Sequence, residues 1–348
     1  MKLGIFSMPS HPPERSLKDG HEWDLQNIIW ADALGFEEFW IGEHHAMVWE
    51  PHPSPDLLVV EGFRQTKNIR IGPGGFCLPY HHPAELANRI AMLDHLSGGR
   101  LNVGFAASGS PTDWEMFGVD GLHGEHRDMT RESIDIIMNL WTQAPGWQYE
   151  GKYWKAAVPH AIPPLLQRHL LPFQQPHPPI GVAGLSSPSP TLEMAGERGW
   201  IPMSLNLNPG YVKSHWDSYA AGAARTGRAV SRRDWRMVRE IFVADTDEGL
   251  YLAQCRSWSI DDRRLNFQFA TEVAYEIKGG KRGRLLKNPT YTGITYEFWR
   301  SCDAVGNASS FRMLGTPNCG KGEPGQIGHI GHAASGARFR DVQVGVLG

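Results

Sequence analysis

"IRIGPGGFCLPYHHPAELANRIAMLDHLSGGRLNVGFAAS", residues 69–108, holds the pattern on which the fold turns. It opens on an apolar run, passes into helical spacing with Pro83 at the start and Gly98-Gly99 at the end, and closes on a second apolar run. Proline is preformed for a first helical turn, and glycine for the left-handed residue after a last one. A strand, a helix and a strand with short connections make a parallel unit with a right-handed crossover.

The same alternation runs outward on both sides. "KLGIFSM" and "FEEFWIGEHH" read as strands flanking the helical "EWDLQNIIWADALG", which stops at Gly35. Downstream come helix "RDMTRESIDIIMNLW", strand "PIGVAG", helix "SPTLEMAGERG", strand "IPMSL", helix "YVKSHWDSYAAGAART" and strand "WRMVREIFVADT". Seven strands in this rhythm fit most of an α/β TIM (β/α)8-type barrel, and no eighth strand-helix unit follows. The spacing therefore predicts a barrel domain over 1–262 that is incomplete at its last strand. Residues 142–178, rich in Pro, His and aromatics and without a clean period, predict a lid or wall over the site. From about 266 to 348 the composition turns Gly-dense and hairpin-like, predicting a β-type C-terminal tail beyond a domain boundary.

The chain has 348 residues, 41% hydrophobic and 20% charged, enough for a large core. A net charge of -3 carries no electrostatic footprint for nucleic acid or an anionic membrane. No apolar run approaches the roughly 20 residues of a membrane span. "MKLGIFSMPSHPP" reads as a first strand meeting proline and not as a signal peptide. Cys77, Cys255, Cys302 and Cys319 are too scattered for a disulfide framework or a metal knuckle, so a reducing, cytoplasmic setting is the default and no metal is expected.

In a parallel barrel chemistry lies at the carboxyl ends of the strands. These ends are Met8–Pro9, Glu43-His44-His45, Gly74-Gly75, Ala107-Ser108-Gly109 and Ser186–Thr191. The histidines thus stand where a barrel keeps groups that move protons near neutral pH. Ser187, Ser189 and Thr191, with interleaved prolines, open a helix whose free N–H groups and dipole suit an anion; an ordinary N-cap is the plainer alternative. Glycines within "GPGGF" mark a bulge or a close approach of backbone to something flat; plain barrel-corner packing is the alternative. "ASGSPTDWEMFG", 107–118, including Trp114, could wall the same pocket or form a surface turn.

Several of these blocks in order, "WADALGFEEFWIGEHH", residues 69–108, "WEMFG", "YEGKYW" and "PHPPIGVAG" followed by "SPTLEMAGERG", resemble the bacterial luciferase-like monooxygenases from Met1 to about residue 262. The resemblance implies a TIM barrel taking reduced FMN from a separate flavin reductase, and using O2 to oxidise a small apolar organic substrate; family members are commonly dimers. It implies an acid/base role beside the flavin for His44, with His45 as a neighbour in a substrate pocket that includes Met8 and Trp114. It implies a cis peptide under the flavin ring at Gly74–Gly75, and a phosphate clasp at Ser187, Ser189 and Thr191. Where luciferases carry an arginine that helps hold the phosphate, this chain has Ala107. The same fold serving a deazaflavin in hydride transfer is the alternative.

The blocks "EVAYEIKGGKRGRLLKNPTYTGITYEFWRSCDAVGN" and "PNCGKGEPGQIGHIGHAASGARFRDVQVG" resemble the C-terminal end of the TldD/PmbA zinc peptidases. That family's cysteine ligand matches Cys319, but no HExxxH segment accompanies it, so the tail is expected to be catalytically silent. A non-functional fusion carrying a peptidase fragment is the remaining alternative.

Overall fold

The computed structural model describes residues 2–163, 168–205, 210–238, 248–261, 263–306, 311–321 and 326–345, with the side chains of the strands between 312 and 333 left aside. The chain divides into two compact units, Met1–Arg239 and Glu240–Gly348.

The first unit alternates as its sequence requires. β1 (Gly4–Ser7), α1 (Leu17–Ala33), β2 (Glu38–Ile41), α2 (Pro55–Gln65), β3 (Arg70–Pro73), β4 (Phe76–Cys77), α3 (Pro83–Ser97), β5 (Val103–Ala106), α4 (Pro111–Phe117) and α5 (Glu125–Thr142) follow in order. A short hairpin, β6 (Gln148–Glu150) and β7 (Lys155–Ala157), precedes β8 (Ile180–Gly184), α6 (Pro190–Arg198), β9 (Ile201–Ser204), α7 (Tyr211–Arg225) and β10 (Arg236–Met237). Helix boundaries come from local chemistry. α3 begins at Pro83 behind His82, whose ring nitrogen accepts from Ala84 N, and ends on Gly98 at φ 61°. α6 begins at Pro190 behind Ser189, whose hydroxyl accepts from Leu192 N, and ends on Gly199 at φ 73°. Both are a first-turn proline with a left-handed glycine stop.

All the barrel-type pairings are parallel. β1, β2 and β3 form one sheet, and β4, β5, β8, β9 and β10 the other. The predicted third strand is therefore broken at Gly74-Gly75: its first half pairs with β2 and its second with β5. Glycine is required there by backbone crowding. A Cβ on Gly75 would lie 2.4 Å from the Gly104 carbonyl carbon of β5, and one on Gly72 only 1.9 Å from Asn102 O. The described cis peptides are Gln175–Pro176 and Ser187–Pro188, so the cis bond expected at Gly74–Gly75 is not there. The crowding at Gly75 is relieved by the missing side chain and needs no unusual peptide.

Period-two alternation sorts β2. Phe39 and Ile41 face the helices and join the main core with Ile28, Ile71 and Leu101. Glu38 and Trp40 face the other way, where Trp40 Nε1 donates to Glu38 at 3.0 Å and Arg236 of β10 pairs with the same carboxylate. Trp40 also reaches Gly181 of β8, where a Cβ would stand 3.0 Å from its ring.

Two expectations change. The described part of residues 142–178 reaches both ends of the strands, with Trp154 edge-on against His82, the neighbour of His81, at 5.4 Å. Glu132 of α5 accepts from Lys152, Tyr153 and Trp154 N, and Gln174 is held by Asp94 and by Arg70 at the start of β3. Gln174 is thus fixed at the opposite, amino-terminal end of the strands. The boundary expected at 262–266 falls inside a hairpin, because β11 (Gly249–Ile260) pairs antiparallel with β12 (Asn266–Lys278). The seventh predicted strand, 235–246, is described through Val238, with β10 at its start; residues 239–246 lie outside the described residues.

The second unit is antiparallel. β13 (Lys281–Leu285) and β14 (Thr290–Ile294) pair with β12, and α8 (Thr295–Arg300) leads to β15 (Cys302–Val305). β16 (Arg312–Lys321) pairs with β17 (Gln326–Ala334), β15 with β18 (Ala337–Phe339), and β14 with β19 (Gln343–Val344). Phe267, Tyr291, Phe298 and Phe339 form its aromatic centre, with Phe298 and Phe339 stacked at 3.9 Å.

Substituting Gly75→Ala forces β4 and β5 apart, and the urea midpoint is expected to fall by the equivalent of about 1–3 kcal/mol. A variant as stable as the parent contradicts the close approach.

Candidate active site

β2 delivers its chain end into a crowded corner. Gly42 N donates to Ser7 O at 2.9 Å, and Met8 lies over Gly42 so closely that a Cβ there would stand 2.2 Å from Met8 Sδ. Met8, predicted for a substrate pocket, thus packs on the turn that carries the histidines.

Glu43 comes next and is only 2% exposed. Its Oε1 is 2.7 Å from His45 Nε2 and 2.9 Å from His81 Nε2, and its Oε2 accepts from Cys77 N at 3.2 Å. Burial alone raises a carboxyl; the hydrogen bonds from His45 and His81 outweigh it and hold Glu43 below the ordinary 4.5. The Cys77 thiol beside it is pushed well up by burial first and by Glu43 and Asp113 next, so it is a packing group and not a nucleophile.

His44 is the first residue whose ring reaches past this core. Its side chain is 20% exposed, with Nε2 3.3 Å from Glu50 Oε2 and Nδ1 3.7 Å from Asp113 Oδ2. Asp113 is fully buried on α4, and its Oδ1 accepts from Ala46 N at 2.7 Å, tying the loop after β2 to the helix after β5. His44 Nδ1 and Asp113 Oδ2 are both buried without a hydrogen-bond partner. An imidazole between two carboxylates, with a buried nitrogen left unpaired, can take or give a proton.

His45 is wedged edge-on against Tyr80 at 5.3 Å and Phe117 at 4.8 Å, and those two rings stack on each other at 4.3 Å. Tyr80 Oη donates to Ser108 Oγ at 2.8 Å, and burial is the chief cause of its raised phenol pKa. Ser108 holds a left-handed backbone, φ 63°, immediately after Ala107. A serine kept there marks a position enforced by its surroundings.

The other predicted residues are placed as follows. Gly74 is half-buried, its N donating to Ile41 O at 2.5 Å, and Gly75 faces β5, so the close approach at Gly75 is to a neighbouring strand. Ser189 is 2% exposed and its hydroxyl is committed to the helix cap. Ser187 donates to Ser214 Oγ at 2.8 Å, Thr191 is exposed on the first turn of α6, and the Ser186 carbonyl is 2.8 Å from His215 Nε2. Trp114 packs on Gly121 and 5.0 Å from His126, so the α4 ring that joins the histidine cluster is Phe117 instead. Glu43 stands in the sequence only as part of the strand end "EHH", and Glu50, Tyr80, His81 and Asp113 are not singled out there. "LPYHHP" repeats after β4 the acid-free half of "EHH" after β2, and this was the signal that could have found His81. Among the described residues no group of His, Cys, Asp or Glu has metal-holding geometry, and no helix is long and apolar enough to cross a membrane.

Residues 1–282 match the model of the luciferase-like monooxygenase family. The chain belongs to that family. It is 32% identical over 265 residues to 3,6-diketocamphane 1,6-monooxygenase of Pseudomonas putida, covering 71% of this chain and 70% of that one. It is 31% identical over 294 residues to the oxygenase component of the flavin-dependent trigonelline monooxygenase of Acinetobacter baylyi, covering 80% and 74%. Among solved structures it is similar to the oxygenating constituent of the Pseudomonas putida 3,6-diketocamphane monooxygenase, a type II Baeyer-Villiger monooxygenase in complex with FMN. That match has a TM-score of 0.67 and 33% identity, and covers 71% of this chain and 68% of the other. These likenesses place the luciferase-like monooxygenase fold and its oxidoreductase class on this chain.

Glu43 titrates lower folded than unfolded, so the unfolded chain takes up its proton first. Stability from this group is present above the ordinary 4.5 and is lost as pH falls through the lower folded value. Urea midpoints are expected to hold from pH 7 to about pH 5 and decline below. Glu43→Ala is expected to cost about 3 kcal/mol at pH 7 and to flatten that acid decline. Stability that rises on acidification from pH 5 contradicts the assignment.

Proposed function

We propose that this chain is the oxygenase of a two-component system, using reduced FMN from a separate flavin reductase and O2 to oxidise a small apolar organic compound. The observation that carries the reading is His44, held between Glu50 and Asp113 at the end of β2 with a buried ring nitrogen unpaired, in a chain of this family.

The residues fit the cofactor. The strand ends offer one imidazole nitrogen, His44 Nδ1, and one carboxylate oxygen, Asp113 Oδ2, that lie 3.7 Å apart with no hydrogen bond made by either. After β5 comes open space, since a Cβ on Gly109 would meet nothing within 4 Å. α6 begins with hydroxyl-bearing Ser187 and Thr191 exposed, and its first-turn N–H groups and dipole favour a phosphate. Ala107 adds no cation, so backbone and hydroxyls carry that grip. When bound, reduced FMN supplies the electrons with which one atom of O2 enters the substrate and the other leaves as water.

The chain's own residues supply the rest. His44 takes or gives the proton, with Glu50 and Asp113 flanking its ring at opposite nitrogens. Exposed Met47, Val48, Trp49 and Phe117 on the loops and helix bearing His44 and Asp113 make an apolar rim, which suits a terpenoid or cyclic ketone better than a charged substrate. Residues 266–348 take no part in this chemistry. Their resemblance to the end of the TldD/PmbA peptidases rests on sequence blocks, and Cys319 falls on β16.

Anaerobic titration with reduced FMN, followed by turnover of a cyclic-ketone and terpene panel with a flavin reductase, tests the proposal. The parent chain is expected to bind saturably and to oxygenate a panel member. His44→Ala is expected to bind flavin within a few-fold of the parent while turnover falls by about 10²–10⁴. No saturable binding, or full turnover in the variant, overturns it.

A further inference from the structure

The cluster behind His44 has a proton arrangement that its partners determine. Arg89 Nη2 is 3.0 Å from His81 Nδ1, and a guanidinium can only donate, so that nitrogen is the acceptor and carries no proton. His81 is therefore neutral with its hydrogen on Nε2, which it donates to Glu43 at 2.9 Å. His45 Nε2 lies 2.7 Å from the same carboxylate oxygen, and an ionised carboxylate only accepts, so His45 also carries its hydrogen on Nε2. The remaining nitrogen of His81 is taken by Arg89, whereas no described partner occupies Nδ1 of His45, whose side chain is 9% exposed. Tyr80 and Phe117 fix the plane of that ring.

We propose that Glu43 is the positioning residue of the active site: one buried carboxylate locks His45 and His81 as Nε2–H tautomers, and so presents His45 Nδ1 as a second proton acceptor beside His44. The inference rests on the reading of this strand end as the site of the flavin reaction. It extends that reading by giving His45 a proton-handling atom and by naming the group that orients it. A carboxylate that fixes one imidazole nitrogen so that the other can work is a recurrent device, here with the two nitrogens exchanged relative to the serine-protease arrangement. Glu43 itself, enclosed by Cys77, His45 and His81, touches no solvent-facing position from which it could meet a substrate.

The test reads tautomers directly. Two-dimensional ¹⁵N–¹H spectra of the ring nitrogens are recorded on the full chain without flavin, with His45 and His81 assigned by single substitutions. In the parent both rings are expected to show the Nε2–H pattern with an unprotonated Nδ1. Glu43→Leu removes both carboxylate oxygens, leaves either Nε2–H without an acceptor, and is expected to abolish the fixed Nε2–H state of His45. Glu43→Asp keeps a carboxylate and is expected to restore it. In turnover with reduced FMN, kcat of the Leu variant is expected to fall tenfold or more with KM within threefold, and the Asp variant to recover in part. A parent His45 with its hydrogen on Nδ1, or an unchanged His45 tautomer in Glu43→Leu, overturns the proposal. So does a normal kcat in a Leu variant whose tautomer has changed. The parent spectrum needs no variant to fold. A parent that binds no flavin yet shows the expected tautomers locates the failure in the functional reading and not in the role of Glu43.

Discussion

The histidine-bearing end of the parallel strands depends on one buried negative charge. Glu43 is taken out of water at the end of β2, and such a group is tolerated only where its oxygens are fully used. His45 and His81 supply two donors and the Cys77 backbone a third. Those donors come from the ends of β2 and β4, strands that belong to different sheets. The carboxylate thus joins the two sheets where β3 breaks into β4. His44 is left to turn the other way, toward Glu50 and Asp113.

Much of the fold was legible from local chemistry. Pro83 with Gly98, and Pro190 with Gly199, gave both ends of α3 and α6, and apolar runs between such helices gave parallel strands. The family resemblance rested on the same blocks and agrees with the match over 1–282. The place of His44 was legible because it follows an apolar strand in a parallel series. Asp113, 69 residues downstream by sequence number, was not, because nothing local to "SPTDWEMF" tells a buried carboxylate from a first-turn surface acid. Trp114 drew attention by size, whereas the fold turns it toward Gly121 and His126 and gives the site Phe117. The glycines of "GPGGF" left a flat ligand and plain barrel packing both open, and the crowding at Gly75 is from Gly104. Sequence can show that a glycine is needed without showing which neighbour needs it.

The later boundaries failed for a physical reason too. A change in glycine content near 264 marked the turn of a long hairpin, and the compact units part earlier, at Arg239–Glu240. Antiparallel strands of 12 and 13 residues had been divided between two domains because composition differs between their partners. The family match to residue 282 likewise crosses from the first unit into β13 of the second. Residues 142–178 read as a lid because they lack period. Gln174 near their end is a fastener at the amino ends of the strands, bonding Asp94, Arg70 and the Leu101 carbonyl, while Trp154 packs on His82 at the other end.

The measurement that bears most directly on the whole account is a crystal structure of the chain grown anaerobically with reduced FMN. The account predicts the flavin ring in contact with His44 at the ends of β2 and β5, its phosphate on the first turn of α6, and Glu43 still bonded to His45 and His81 behind it. A flavin bound elsewhere on the chain, or a His44 ring turned away from it, would contradict the central claim.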